Sequence, residues 1–130
     1  MLFRSRTARA GGKAYVYAFG RAAQVPGGEK LGAHHGIEIP YVWDNLASEK
    51  WVPRQPYDQE LADAVSSAWV RFAATGDPNG GGMATWPLFT SANEDYLEFG
   101  DDAVRAGTSF RKPFTELYEQ LLAPKLADGH

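Results

Sequence analysis

Cysteine is absent from this 130-residue chain, which excludes a disulfide framework, a thiolate nucleophile and a cysteine-type zinc site. Long apolar runs are absent as well. The longest fall far short of the roughly 20 residues that a bilayer-crossing helix needs, so no membrane partner is expected. Basic charge is scarce: 13 Lys and Arg against 16 Asp and Glu leave a net charge of -3. No Lys or Arg cluster accompanies the aromatic residues, so nucleic acid is not an expected partner either. Met1-Leu2-Phe3-Arg4-Ser5-Arg6 leads into charge and glycine instead of the apolar core of a signal peptide, and the expected location of this chain by itself is the cytoplasm. There is no internal repeat, coiled-coil heptad or low-complexity tract.

What is present is a folding composition, 44% hydrophobic and 13% aromatic, globular and not disordered. Residues 14–19, Ala-Tyr-Val-Tyr-Ala-Phe, are apolar, aromatic and β-branched without interruption. That suits a strand of a parallel sheet covered on both faces. Gly20 to Leu31, with Pro26-Gly27-Gly28, is expected to be a loop. The best helix is Asp58 to Thr75, with Asp58 as N-cap and Leu61, Val65, Ala68, Trp69 and Phe72 on one face; Gly76 and Pro78 are placed to end it. Tyr96 to Phe99 is a short strand, and a second helix runs from Pro113 to Leu122. Gly80-Gly81-Gly82 reads as a flexible connection, Asp101-Asp102 as a solvated turn, and Trp69 and Trp86 as core.

The chemistry concentrates in Gly32-Ala33-His34-His35-Gly36-Ile37-Glu38-Ile39-Pro40-Tyr41-Val42-Trp43. A glycine on each side of Ala33-His34-His35 lets the backbone bend sharply and present an imidazole instead of burying it. Locally, such a histidine serves either as a catalytic base or as a structural surface residue. A metal site built from His34, His35 and Glu38 is disfavoured, because adjacent histidines point apart and no third independent ligand is evident. No metal and no cofactor is expected. Pro40 to Trp43 is expected to pack behind the histidine, with Trp43 and Trp51 candidates for the wall of a pocket. His130 ends the chain as a tail.

Taken with Tyr15-Val16-Tyr17-Ala18-Phe19, Phe72-Ala73-Ala74-Thr75-Gly76-Asp77-Pro78-Asn79 and Trp86-Pro87-Leu88-Phe89, the histidine segment resembles the C-terminal quarter of the type-B carboxylesterases, the family of cholinesterases and bacterial para-nitrobenzyl esterases. The likeness runs from about Ala8 to about Leu122 and favours the bacterial branch. It implies that residues 1–130 are the C-terminal part of an α/β-hydrolase fold with few sheet strands and two main helices, incomplete as a domain. By this resemblance His35 matches the histidine of a Ser-Glu-His triad, and His34 occupies a variable position. Glu38 matches a glutamate that helps order the loop and is not the triad acid.

The resemblance also implies a serine on a Gly-x-Ser-x-Gly elbow upstream of the histidine. None of Ser5, Ser48, Ser66, Ser67, Ser91 and Ser109 has glycine two residues away on both sides. The expectation is therefore a histidine-bearing portion of a serine carboxylester hydrolase, inactive alone. Its partners would be a small-molecule carboxylic ester in the intact enzyme and the missing N-terminal part of the fold. The competing expectation is a non-catalytic fold fragment or interaction module. With one strand short of neighbours, the isolated chain is expected to self-associate.

Overall fold

The computed structural model describes residues 10–48, 55–90 and 92–109, together with 114, 116, 117, 120 and 121. Three short strands form one sheet in the order β1 (Tyr17–Phe19), β2 (Tyr96–Phe99), β3 (Val104–Gly107). β1 and β2 run parallel, with Tyr17 opposite Leu97 and Phe19 opposite Phe99; β2 and β3 are antiparallel. Between β1 and β2 lie two single helical turns, α1 (Gly28–Leu31) and α2 (Ile39–Val42), a 3₁₀ turn at Leu46–Ser48, and the long helix α3 (Pro56–Thr75). This is an α/β arrangement, as the family resemblance implies.

The first strand is shorter than the apolar run 14–19 because its beginning changes partner. Tyr15 forms an isolated antiparallel bridge with Leu88, while Val16 O accepts from both Leu97 N–H and the Trp86 indole N–H. Helix α3 begins at Pro56, two residues before the expected cap. Proline is tolerated at that first position, where its missing N–H has no intrahelical partner to lose. Asp58 thus lies inside the first turn, and its Oδ2 accepts from Gln55 N–H at 2.7 Å. The helix ends as expected: Gly76 is left-handed, with its N–H on Phe72 O. The loop between Gly20 and Leu31 is not wholly irregular, since it contains α1.

Helix α3 packs on the sheet. Leu61, Val65 and Ala68 from the helix, Leu97 and Phe99 from β2, Trp86, and Tyr41 and Leu46 after the histidine loop form one buried cluster. Each fully buried side chain of Val, Leu or Phe size contributes on the order of 1.5–3 kcal/mol. Trp86 is the hinge of the aromatic packing, edge-on to Tyr15, Tyr17 and Phe99 and tilted against Trp69. The Asn79 side chain holds it there by accepting from Trp86 N–H at 2.6 Å and donating to Trp86 O at 3.0 Å. The glycine run that follows is more specific than a flexible connection: Gly80, Gly81 and Gly82 all have positive φ, and Gly80 and Gly81 lie against the Arg71 side chain.

One expectation about the sheet needs correction. β3 is a third strand that the sequence reading did not include; it returns on β2 through a tight hairpin closed by Gly100 N–H to Ala103 O. Residues 114, 116, 117, 120 and 121 are helical as expected, and of these Phe114, Leu117 and Leu121 are exposed. Its expected ends at Pro113 and Leu122 lie outside the described residues.

Among the described residues no strand pairs with the outer edge of β1. Tyr17, Phe72 and Leu88 are exposed as well. Open strand edges and contiguous apolar surface favour association. Light scattering of the purified chain should therefore show concentration-dependent oligomers, whereas a monodisperse monomer with a sharp cooperative thermal transition would mean that this surface closes on its own.

Candidate active-site segment

Parallel β1 and β2 end at Phe19 and Phe99, and the chain leaving β1 enters the loop that carries His35. In open α/β sheets the crevice beyond the carboxyl ends of the strands is where ligands bind. The loop turns where its glycines allow it: Gly32 has φ 62° and Gly36 has φ 84°. Around Gly36 the backbone closes two successive turns, Ile37 N–H to His34 O and Ile39 N–H to Gly36 O. Ile37 is buried, which anchors the turn, while His34 and His35 on the other side of it are exposed.

An alanine Cβ at position 36 would meet only Ile39 Cδ1, at an ordinary 3.6 Å. The cost of Gly36→Ala is therefore backbone strain and not crowding, about 1–2 kcal/mol for an L-residue in the left-handed region. Urea unfolding should show this as a lower midpoint with an unchanged m-value; no loss of stability would mean that the turn relaxes to another geometry.

The two histidines differ in surroundings. His34 Nδ1 lies 3.2 Å from the His35 carbonyl oxygen. The His35 imidazole has no hydrogen-bond partner among the described residues, so no serine hydroxyl and no carboxylate is joined to it there. Glu38 starts α2 with its backbone, its carbonyl accepting from Tyr41 and Val42 N–H at 3.0 Å each. Its half-buried carboxylate makes no hydrogen bond to the loop. It lies near Tyr17, whose phenol is pushed above its ordinary value first by burial and then by the Glu38 charge. Behind the loop Tyr41 is buried as expected, but Trp43 is 75% exposed and does not pack behind the histidine among the described residues. Trp51 and His130 lie outside the described residues.

The strongest polar feature of the region is one that sequence reading did not find. Arg21, just past β1, and Asp58, in the first turn of α3, are both buried. Arg21 Nε donates to Asp58 Oδ1 at 2.8 Å, and the Tyr41 hydroxyl donates to the same oxygen at 2.9 Å. Arg21 Nη1 donates to the Asp101 carbonyl at 2.9 Å, and the guanidinium lies 5.4 Å from the centre of the Tyr57 ring. Asp101 is thus more than a solvated turn residue: its carboxylate accepts from Ala22 N–H and lies 3.5 Å from Arg21. Asp102, its neighbour, pairs with Arg105 on the surface. Burial by itself would raise the Asp58 carboxyl, but the hydrogen bonds from Arg21, Gln55 and Tyr41 outweigh it and hold it below its ordinary value. Tyr41 is pushed far up, first by burial and then by its bond to the Asp58 carboxylate. Beside this cluster a cavity of about 460 Å³ opens at the end of β1, lined by Gly20, Arg21, Gln24, Glu29, Gly32 and Asp101. Among the described residues no group of three His, Asp or Glu side chains is arranged to hold a metal ion.

Residues 2–118 match the sequence model of the Carboxylesterase family. The chain belongs to this family. Acetylcholinesterase of Gallus gallus is 34% identical over 99% of this chain, and bile salt-activated lipase of Homo sapiens is 32% identical over 89%. Among solved structures, an esterase from Clostridium hathewayi superposes on 87% of the chain with a TM-score of 0.71 and 29% identity. A carboxylesterase of Geobacillus stearothermophilus does so on 81% with a TM-score of 0.68 and 29% identity. The fold is that of the corresponding part of an α/β-hydrolase esterase. The carboxylesterase segment spans 17% and 16% of the two curated relatives and 22% of each of the two structures.

Proposed function

We propose that residues 1–130 form the C-terminal part of a type-B carboxylesterase domain and supply its general base, His35, to the hydrolysis of a small-molecule carboxylic ester into acid and alcohol. The observation that carries this reading is the exposed imidazole of His35, held in a glycine-bounded turn beyond the carboxyl end of β1, in a chain of this family. His35 would take the proton of a serine hydroxyl as that oxygen attacks the ester carbonyl, then return it to the departing alcohol. In the second half it would take a proton from water and return one to the serine. Serine and acid would come from the upstream part of the fold, and this acyl-transfer chemistry needs no metal or cofactor. Glu38, whose carbonyl starts α2 directly after the turn, would help order the loop without acting as the triad acid. For this chain by itself the proposed location remains the cytoplasm.

The test uses a fluorophosphonate that labels activated serines, with para-nitrophenyl acetate as substrate. The 130-residue chain alone should neither take the label nor hydrolyse the ester faster than its His35→Ala variant. A polypeptide joining it to an upstream segment with the Gly-x-Ser-x-Gly elbow and the acid should do both. Labelling of the chain alone would reveal a nucleophile within it. Failure of the joined, folded polypeptide would favour a non-catalytic interaction module.

A further inference from the structure

His35 is presented by a long loop, yet its imidazole makes no hydrogen bond among the described residues, so something other than its own contacts must set its place. The backbone bonds drawn within the loop are local turns, such as Gly28 N–H to Val25 O, Gly32 N–H to Gly28 O and Ile37 N–H to His34 O. The loop's two ends, however, converge on one buried carboxylate. At the entry, Arg21 Nε donates to Asp58 Oδ1; at the exit, Tyr41 OH donates to the same atom. The other oxygen, Oδ2, is occupied by Gln55 N–H, which fixes the carboxylate to the start of α3. The entry is held a second time from the β2–β3 hairpin, by the Asp101 carbonyl on Arg21 and the Asp101 carboxylate on Ala22 N–H.

We infer that Asp58, with Arg21 and Tyr41, is the positioning device of the histidine loop: it ties both ends of the loop to the first turn of α3 and thereby sets where the imidazole of His35 stands relative to the sheet. As a role in catalysis this rests on the proposal that His35 is the base; as a clamp on the loop it stands without it. Three buried residues that are far apart in sequence and share one oxygen leave little freedom, because each hydrogen bond is charge-assisted and removing one partner leaves the others buried and unsatisfied. None of the three is hydrogen-bonded to the His35 imidazole, the reacting group this chain would supply. A base must sit within hydrogen-bond reach of the proton it takes, so a clamp of this kind acts on turnover through geometry.

Tyr41→Phe is the cleanest probe, because it deletes one hydroxyl and keeps the ring, which packs 5.0 Å from Phe19. Amide hydrogen exchange of the 130-residue chain is the readout. The Ile37 and Ile39 amides should exchange about tenfold faster or more while those of Leu61, Val65 and Ala68 in α3 keep their wild-type rates, the pattern of a local opening. Arg21→Lys, which keeps the charge but loses the guanidinium fork, should loosen the same turn and serves as the second variant. Uniform acceleration of loop and helix alike in both variants would mean a merely structural pair, and wild-type exchange in the loop would mean that the clamp is not what orders it; either result overturns the proposal. In a joined, active esterase Tyr41→Phe should lower kcat by about tenfold or more with KM little changed. A selective loosening of the loop in a joined polypeptide that hydrolyses no ester would instead sink the esterase reading and leave the clamp standing.

Discussion

Replacing His35 with alanine, in a polypeptide that joins this segment to an upstream segment carrying a nucleophilic serine and an acid, should lower kcat by about four to six orders of magnitude. Removing one member of a serine triad abolishes proton transfer in both acylation and deacylation, and the residual rate comes from binding and oxyanion stabilisation alone. His34→Ala should change kcat by less than about threefold, within the range of mutations that leave transition-state contacts intact. The two residues are neighbours, both exposed, and indistinguishable by composition. His34 spends its Nδ1 on the His35 carbonyl, while His35 leads directly into the left-handed Gly36 with its ring unengaged by the described residues. Measuring kcat and KM separately for both variants decides the assignment. A large loss in His34→Ala with a small one in His35→Ala would move the base by one residue.

Asp58→Ala should destabilise the chain by about 3–5 kcal/mol, the usual cost of removing one member of a buried ion pair and leaving the other charge uncompensated. Arg21 would remain buried, and the Tyr41 hydroxyl and Gln55 N–H would lose their acceptor. The paired change Arg21→Met with Asp58→Leu should recover much of that loss, since no buried charge remains. Chemical denaturation of the single and double variants measures both. The same cluster predicts the shape of stability against pH. The folded Asp58 carboxyl lies below its ordinary value of 3.8, so its contribution is present above that value and fades as the pH falls through the folded one. The folded Tyr41 phenol lies above its ordinary value of 10.0, so its contribution is present below pH 10.0 and fades as the pH rises beyond it. These two groups therefore leave a plateau across neutrality with a decline at each end. A Tyr41→Phe variant that kept the full alkaline decline would show that other groups cause it.

The turn that presents His35 was legible in the chain because its cause is local: glycine at positions 32 and 36 permits the positive φ that the structure has there. The same holds for α3, whose apolar spacing and C-terminal Gly76 are properties of neighbouring residues, and for Trp86 as a core residue. Aspartate favours the cap position, but Pro56 starts the helix earlier, so Asp58 caps from within the first turn through Oδ2 and offers Oδ1 to Arg21 and Tyr41. β3 carries Arg105, Ala106 and Gly107, a composition with little strand propensity, and it exists because β2 offers it a partner. The amphipathic pattern near the C-terminus indicated a helix correctly, but an apolar stripe says only that a face prefers burial and not that the partner is at hand.

By itself, then, the sequence determined the α/β class, the long helix, the glycine-bounded histidine turn and membership of an esterase family, because each rests on the order of residues close together in the chain or on a pattern spread along it. The tertiary structure alone decided which side chains meet: that Arg21 and Tyr41 share an oxygen of Asp58, that Asp101 closes on Arg21 from the far hairpin, and that Glu38 leaves its carboxylate out of the loop's hydrogen bonds. Arg21 and Asp101 are 80 positions apart, and nothing in either neighbourhood names the other. A buried charge must find its partners wherever the fold brings them, so the pairing is a consequence of packing, not of sequence spacing.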